Sequence, residues 1–298
     1  VVSGGTIRLT ANINYTEKIV VDTKSFTLDV GTFTLNLNVS APGTAVYALE
    51  LKNSGNLALA GTGEFNINVT GANTSAGVYA KAGCSATVTN VKVNVANGSA
   101  FGVYANGNGS QINVLGDVEV TGTEGGCGAK TWGTGQIRIE GIMTAPIYIN
   151  LNSVYKAKGS GEVDNGYLKY SAVANGPGIV WVKIAPAVCE IVDGAQYDNL
   201  PEALSAADGK TIKLLDDISF DKAVSGDGAV KIDSKTITLD LNGHSLSISN
   251  SLGHGLAVVN NANLSITGTG DLSLNAKFAA LYVTASAFSS GGNINASL

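Results

Sequence analysis

Arginine is nearly missing from this chain: Arg8 and Arg138 are the only two among 298 residues, and charged side chains of every kind make up 14%. The 18 basic and 23 acidic residues are scattered, so no cationic surface able to neutralise phosphates is written, which argues against a nucleic-acid partner. No run of about 18 uninterrupted apolar residues occurs, and no basic-then-apolar leader opens the chain, so no membrane insertion is expected. Cysteine is sparse and odd in number. Cys84, Cys127 and Cys189 stand 43 and 62 positions apart, which fits neither a close metal-ligand pattern nor a self-contained disulfide framework. They are expected to be buried free thiols, and neither metal nor cofactor is expected.

What is abundant is glycine, at 38 copies, together with Asn, Ser, Thr, Val and Ala. These are formers of turns and strands rather than of helices, so the composition predicts an all-β chain with many turns. The phrase NLALAGTGEFNIN at 56–68 returns as NLSITGTGDLSLN at 263–275, beginning 207 positions later (263 against 56). GGTIRL at 4–9 answers GKTIKL at 209–214, and FTLDVGTFTLNLN at 26–38 answers ITLDLNGHSLSIS at 237–249. Inside the first copy a shorter period appears: AVYA at 45, GVYA at 77, GVYA at 102 and GCGA at 126, in steps of 32, 25 and 24.

Each quartet is followed by a Gly/Asn/Ser turn and then by alternating apolar residues, as in SATVTNVKVNV, the period-2 mark of strands with one buried face. Short strands repeated every 20-odd residues describe a coil whose rungs pair in parallel at about 4.8 Å. A single rung cannot cover its own aliphatic residues, whereas stacking buries them in continuous columns, at about 25 cal/mol per Å² of apolar area. The expected fold is therefore a parallel β-helix, or β-solenoid. Its inward positions include Leu28, Leu37, Leu57, Val78, Val103 and Ile137, then Leu239, Leu246 and Ile266 in the second copy. By the quartet alignment Cys127 takes the place of Val78 and Val103.

One segment reads as a helix. In YDNLPEALSAADG, Asn199 and Glu202 make a capping box, Pro201 sits in the first turn, Leu200, Ala203, Leu204 and Ala207 form one face, and Gly209 stops it. A helix cap over 199–208 closing the start of the second coil is predicted, because an open rung exposes its edge and core. The chain then reads as two tandem modules: 1–190, without its own N-terminal cap, and 191–298, cut short at its C-terminus. The first stack is expected to end near 165, followed by a strand-rich junction to about 190 with Pro186 as a hinge. Further modules of the same polypeptide are expected on either side.

The run from the Tyr197 aromatic through the Leu-x-x-Ala-Leu helix, the Gly-x-Thr-Ile-x-Leu strand and the Leu-Asp-Leu-Asn-Gly-His phrase at 239–244 resembles right-handed parallel β-helix domains of the pectate-lyase-like superfamily. It is most similar to modules found in large surface or secreted proteins of Gram-positive bacteria. The resemblance covers 197–249 well and 4–38 by way of the internal repeat. It implies right-handed coiling, an extracellular or cell-surface location, and a setting of polysaccharide binding, cleavage or adhesion, among which fold alone does not choose.

Hydrolases of this fold converge carboxylates and a histidine on one face. Asp216-Asp217 and Gly253-His254-Gly255 offer those residue types, but the His lies 37 residues after Asp217, more than one rung on, and no arginine follows Arg138. The structural alternative is a strand-end turn and a loop histidine. A lyase would need clustered carboxylates for Ca²⁺ and a basic residue to take the proton. Asp29, Asp233 and Asp240 each stand alone on a rung, Lys231 and Lys235 read as solvated lysines, and His244 belongs to a turn with no histidine matching it in the first copy. One binding motif remains: Tyr79 and Tyr104 are expected to point outward on consecutive rungs, with Tyr47 and Tyr282 as counterparts, as a sugar-binding ladder or as a stack that stiffens one sheet. The leading expectation is a non-catalytic extracellular β-helix, an adhesin-like or stalk-like segment of a bacterial surface protein with a polysaccharide or host glycan as partner. The alternatives are a polysaccharide lyase or glycoside hydrolase using Asp216, Asp217 and His254, and a purely structural spacer.

Overall fold

The computed structural model of the chain describes residues 3–41, 46–71, 75–96, 99–122, 125–173, 177–226, 228–291 and 293–297. Ala45, which opens the AVYA quartet, lies outside the described residues, as do Val1 and Leu298 at the expected module limits. The chain is all-β apart from one seven-residue helix among the described residues, and its strands stack as the parallel coils of a β-solenoid. No helix among the described residues is long and apolar enough to cross a membrane. Contacts divide the chain into two units, Val1–Ile184 and Ala185–Leu298.

In the first unit the backbone visits three sheets in turn. One runs through Thr6–Arg8, Ser25–Asp29, Asn56–Ala60, Ser85–Val88, Gln111–Val114 and Gln136–Ile139. The second runs from Ile13–Tyr15 to Met143–Thr144, and the third from Ile19–Asp22 to Ile147–Leu151. Register puts like on like: Leu37 pairs with Ile67, Ile67 with Val91, Val91 with Val118, and Ala86 with Ile112, which pairs with Ile137. Phe65, Leu37, Ile67, Ile112 and Ile137 are at most 1% exposed, so the inner columns are dry. The inward positions named above are buried, while Leu59, predicted to face inward with them, is half-buried and packs against the core.

Three expectations need correction. First, the quartets do not mark equivalent positions. Leu49 pairs with Val78 and Glu50 with Tyr79, so Ala48-Leu49-Glu50-Leu51, not AVYA, answers GVYA. The cause is a corner at which two consecutive residues face inward. A Cβ on Gly77 would lie 2.2 Å from Val91 Cγ1, and one on Gly102 would lie 2.4 Å from Val118 Cγ1, so glycine fits there and Ala48 takes the matching place in the rung before. Second, Cys127 pairs with Phe101 while Ala129 pairs with Val103, which puts Cys127 on the outer side of the third sheet with Ala76, Tyr79 and Phe101. It is buried there, 1% exposed, outside the main core. Third, the first stack does not end near 165. Ile179–Lys183 pairs in parallel with Gln136–Ile139, and Tyr167–Ser171 then folds back antiparallel upon it. Antiparallel Val154–Lys156 does the same on the third sheet. A reversed strand satisfies the edge amides without starting another rung.

The second unit repeats the scheme with Lys210–Leu214, Thr236–Asp240, Asn263–Thr267 and Ala287–Ser290 in one sheet, extended by antiparallel Cys189–Ile191. The helix Leu200–Ala206 starts at Asn199, whose Oδ1 accepts the Glu202 backbone N–H at 2.9 Å, and buries Leu200, Ala203 and Leu204. Lys235 is not a solvated lysine, contrary to expectation: its Nζ donates to the carbonyls of Leu204, at 3.1 Å, and Ser205, capping the helix end. The recurring Leu-Asp phrase is a turn device. Asp29 accepts the Gly31 N–H at 2.9 Å and Asp240 accepts the Asn242 N–H at 3.0 Å, with Gly31 and Asn242 both at positive φ.

One inward column carries a flaw. Thr131 follows Ala80 and Ala105 in register, is fully buried, and its Oγ1 finds no hydrogen-bond partner among the described residues. An unsatisfied buried hydroxyl costs about 1–3 kcal/mol, so Thr131→Val is expected to stabilise the chain by an amount of that order. The check is a rise in the urea midpoint at unchanged slope; no rise would mean that the hydroxyl is satisfied.

Candidate functional site

The candidate residues fall into three places. Asp216 and Asp217 lie in the turn between Lys210–Leu214 and Ile218–Lys222, whereas His254 lies just before Leu256–Val259, at a different corner and one coil further on. The structure does not bring them together. Asp216 accepts the Asp217 N–H at 2.8 Å, and Asp217 Oδ1 accepts the Ser245 N–H at 2.8 Å with His244 Nδ1 at 3.6 Å, so the acidic pair shapes a turn. His254 stacks on Tyr282, with ring centroids 4.3 Å apart and planes 11° from parallel, and no carboxylate faces its Nδ1 among the described residues. Nor do three or more His, Cys, Asp or Glu side chains converge as metal ligands among the described residues.

Tyr79 and Tyr104 are in register on the outer side of the third sheet. Tyr47 is three residues out of step with them, yet its ring reaches Tyr79: the centroids are 4.2 Å apart and the planes 24° from parallel, and Tyr79 to Tyr104 is 5.2 Å. The Tyr47 and Tyr79 faces are thus turned to one another, Tyr104 is tilted 55° from Tyr79, and Tyr79 is only 8% exposed. Asn106 Nδ2 donates to the Tyr79 hydroxyl at 2.5 Å, and the Lys130 ammonium covers Phe101 and Tyr104 at 4.6 and 4.9 Å. Burial, and then the Tyr79 phenol beside them, pushes the phenols of Tyr47 and Tyr104 above their ordinary range. This geometry stiffens a sheet. A sugar ring would need a bare aromatic face.

The sequence reasoning passed over a different surface. Along the outer face of the first sheet, two shallow depressions of about 290 and 200 Å³ share Gln111 and Asn113 and so form one groove. Its floor begins with small residues, Ser25, Thr27, Ala58 and Thr87, which keep it open, and ends at Arg138 and Trp181. Gln111 pairs with Gln136, and Asn113 pairs with Arg138, which pairs with Trp181. The amides of Gln111, Asn113 and Gln136 are exposed and make no side-chain hydrogen bond among the described residues. Elsewhere such columns are bonded: Asn56 donates to Ser25 and Ser85 to Asn56, at 3.1 and 2.8 Å, earlier in the same column, and on the second sheet Asn36 donates to Asn14, Asn66 to Asn36 and Asn90 to Asn66, at 3.0, 3.2 and 2.9 Å. The outward register of Gln111 and Gln136 was readable as alternation in QINV and QIRI. Their neighbours from distant rungs were not.

Charge at the end of the groove is matched. Arg138 Nε bonds Glu140 at 2.7 Å and its guanidinium lies 4.0 Å over the Tyr167 ring, while the Tyr167 hydroxyl donates to Glu140 at 2.5 Å. Lys231, expected to be free, pairs with Asp233 at 3.1 Å. Asn260, then Lys231 and Ser234, hold the Asp233 carboxyl down to about 2. Comparison of the chain with known family models, curated proteins and solved structures finds no match.

Two outcomes follow from these environments. The three cysteines are free and buried, and burial pushes the thiols of Cys127 and Cys189 up to about 12 and about 11. Both are expected to stay silent towards a thiol reagent at pH 8 and to react on unfolding, because only the thiolate attacks; fast labelling of the native chain would contradict the packing. The Asp233 carboxylate, at about 2 when folded, lies below the value of about 3.9 in an unfolded chain. Its stabilisation is complete above that higher value and is lost as pH falls through the lower one. The difference in melting temperature between the wild type and Asp233→Asn should therefore shrink from pH 5 towards pH 2, and a constant difference would contradict the assignment.

Proposed function

We propose that this chain is a non-catalytic, extracellular segment of a bacterial surface protein, an adhesive stalk of right-handed parallel β-helix that holds glycan on its outer sheet faces. In this reading the internal repeat marks two tandem modules, the Leu200–Ala206 helix caps the second, and further modules of the same polypeptide lengthen the stalk. The single observation that carries the binding role is the row of unpartnered amides at Gln111, Asn113 and Gln136 leading to an indole, in a groove and on consecutive rungs. An amide offers donors and an acceptor together, as vicinal sugar hydroxyls require, and an indole face takes the C–H face of a pyranose. A stack of rungs repeats that offer at the spacing of a polymer.

The Tyr47, Tyr79 and Tyr104 stack serves in this reading as a stiffener beside the binding face, with its outer hydroxyls as a secondary glycan contact. The non-catalytic part rests on the separation of Asp216 and Asp217 from His254. A glycan array with the whole chain, run beside a turnover assay on pectic and other acidic polysaccharides with Ca²⁺, tests both halves. Binding without turnover is expected; turnover that disappears in His254→Ala would overturn the non-catalytic half, and an empty array would leave a structural spacer.

A further inference from the structure

We infer that the groove on the first sheet selects a neutral polysaccharide over an acidic one, with the chain lying along the coil axis from the small-residue floor towards Trp181. This rests on the glycan-binding reading above and names the class of ligand.

Gln111 and Gln136 face each other across neighbouring rungs, while Asn113 stands two residues from Gln111 on the same strand and faces Arg138 on the next rung. Rungs of a parallel sheet are about 4.8 Å apart, close to the length of one pyranose, so a chain laid across the strands sets two successive sugars at Gln111 and Gln136 and leads on to Trp181. A chain laid along a strand would meet one amide row and then leave the sheet at a corner.

Charge decides the class. The groove floor holds one cation, Arg138, and that guanidinium is engaged by Glu140 at 2.7 Å and by the Tyr167 ring at 4.0 Å. Lys183 also leans on Glu140, at 3.8 Å. At the opposite end of the sheet Arg8 is held by Asp29 at 2.7 Å. A row of uronates would lie among neutral amides, meet at Arg138, the one cation of the groove lining, a guanidinium already bonded to Glu140, and lose hydration without a free ionic partner in that lining. Lys169, opposite Trp181 on the antiparallel strand, has no ion-pair partner among the described residues but lies outside the groove lining. Neutral hydroxyls meet no such cost. Trp181 is suited to end the site: it is half-buried, lines the groove, and its Nε1 donates to Asp164 at 3.3 Å, which holds the ring in place.

The test is calorimetric titration of the whole chain with neutral oligosaccharides (gluco-, manno- and xylo-configured) and with oligogalacturonate of equal length. Neutral chains are expected to bind at least about tenfold more tightly, a difference of about 1.4 kcal/mol. Gln111→Ala/Gln136→Ala and, separately, Trp181→Ala should each weaken neutral binding by about tenfold or more. Because Gln111 and Gln136 are exposed, that pair should melt like the wild type and keeps the test valid if Trp181→Ala misfolds. Glu140→Gln, which frees Arg138, should raise affinity for oligogalacturonate and leave neutral binding unchanged, whereas Lys169→Ala should leave neutral binding unchanged too. Tighter binding of the acidic chain would overturn the selectivity while leaving the glycan-binding reading standing. Neutral binding that survives the groove variants and is lost in Tyr79→Ala/Tyr104→Ala would move the site elsewhere and overturn the inference. No binding of any saccharide would overturn both.

Discussion

Each rung of this molecule is held by the rung beside it, through parallel backbone hydrogen bonds on the outside of the coil and aliphatic contact within. Neither works alone. A three- to eight-residue strand has too little apolar surface to fold by itself, and an isolated column of Leu, Ile and Val has nothing to fix its register. Together they explain why Leu37, Ile67, Val91 and Val118 stand in one line, and why residues as far apart as Phe26 and Val180 can belong to one core.

The same stacking governs the polar side chains, with two results. On the second sheet, asparagines in register at consecutive rungs bond one another, and the ladder becomes part of the scaffold. On the first sheet the column is bonded from Ser25 through Asn56 to Ser85 and then opens: glutamine follows glutamine without bonding, and asparagine is followed by an arginine already held by Glu140. The register is equally regular; what differs is whether the groups are satisfied. In the proposed reading, the stretch left open at Gln111 and Gln136 is the one that takes a ligand.

Ends and corners are where the repeat gives way. Within three consecutive strands of the third sheet, Ala48, Gly77 and Gly102 stand where two consecutive residues are buried, and a Cβ on Gly77 or Gly102 would meet Val91 or Val118. Antiparallel strands at 154–156 and 167–171 close edges that further parallel rungs would have left open, and in the second unit Asn199 and Lys235 tie down the two ends of the helix. Each device answers the same problem: backbone groups that the next coil would otherwise have satisfied.

Much of this was legible in the residues. Alternation in SATVTNVKVNV told which side chains face in, the glycine and asparagine turns told where strands stop, and Asn199 with Pro201 announced the helix, because these are properties of neighbours a few positions apart. Register was misread where a string match stood in for geometry: AVYA looks like GVYA, but Ala48, Leu49 and Glu50 are what the corner aligns with Gly77, Val78 and Tyr79. The same slip put Cys127 in the wrong column. Pairing between residues some 25 positions apart depends on loop lengths and on how tightly each corner turns, which only the folded coil decides. For that reason composition and periodicity were enough to establish a stacked parallel coil, while the stacked phenols, the matched charge of Arg138 and the open amide row at Gln111 and Gln136 exist only once the rungs are laid on one another.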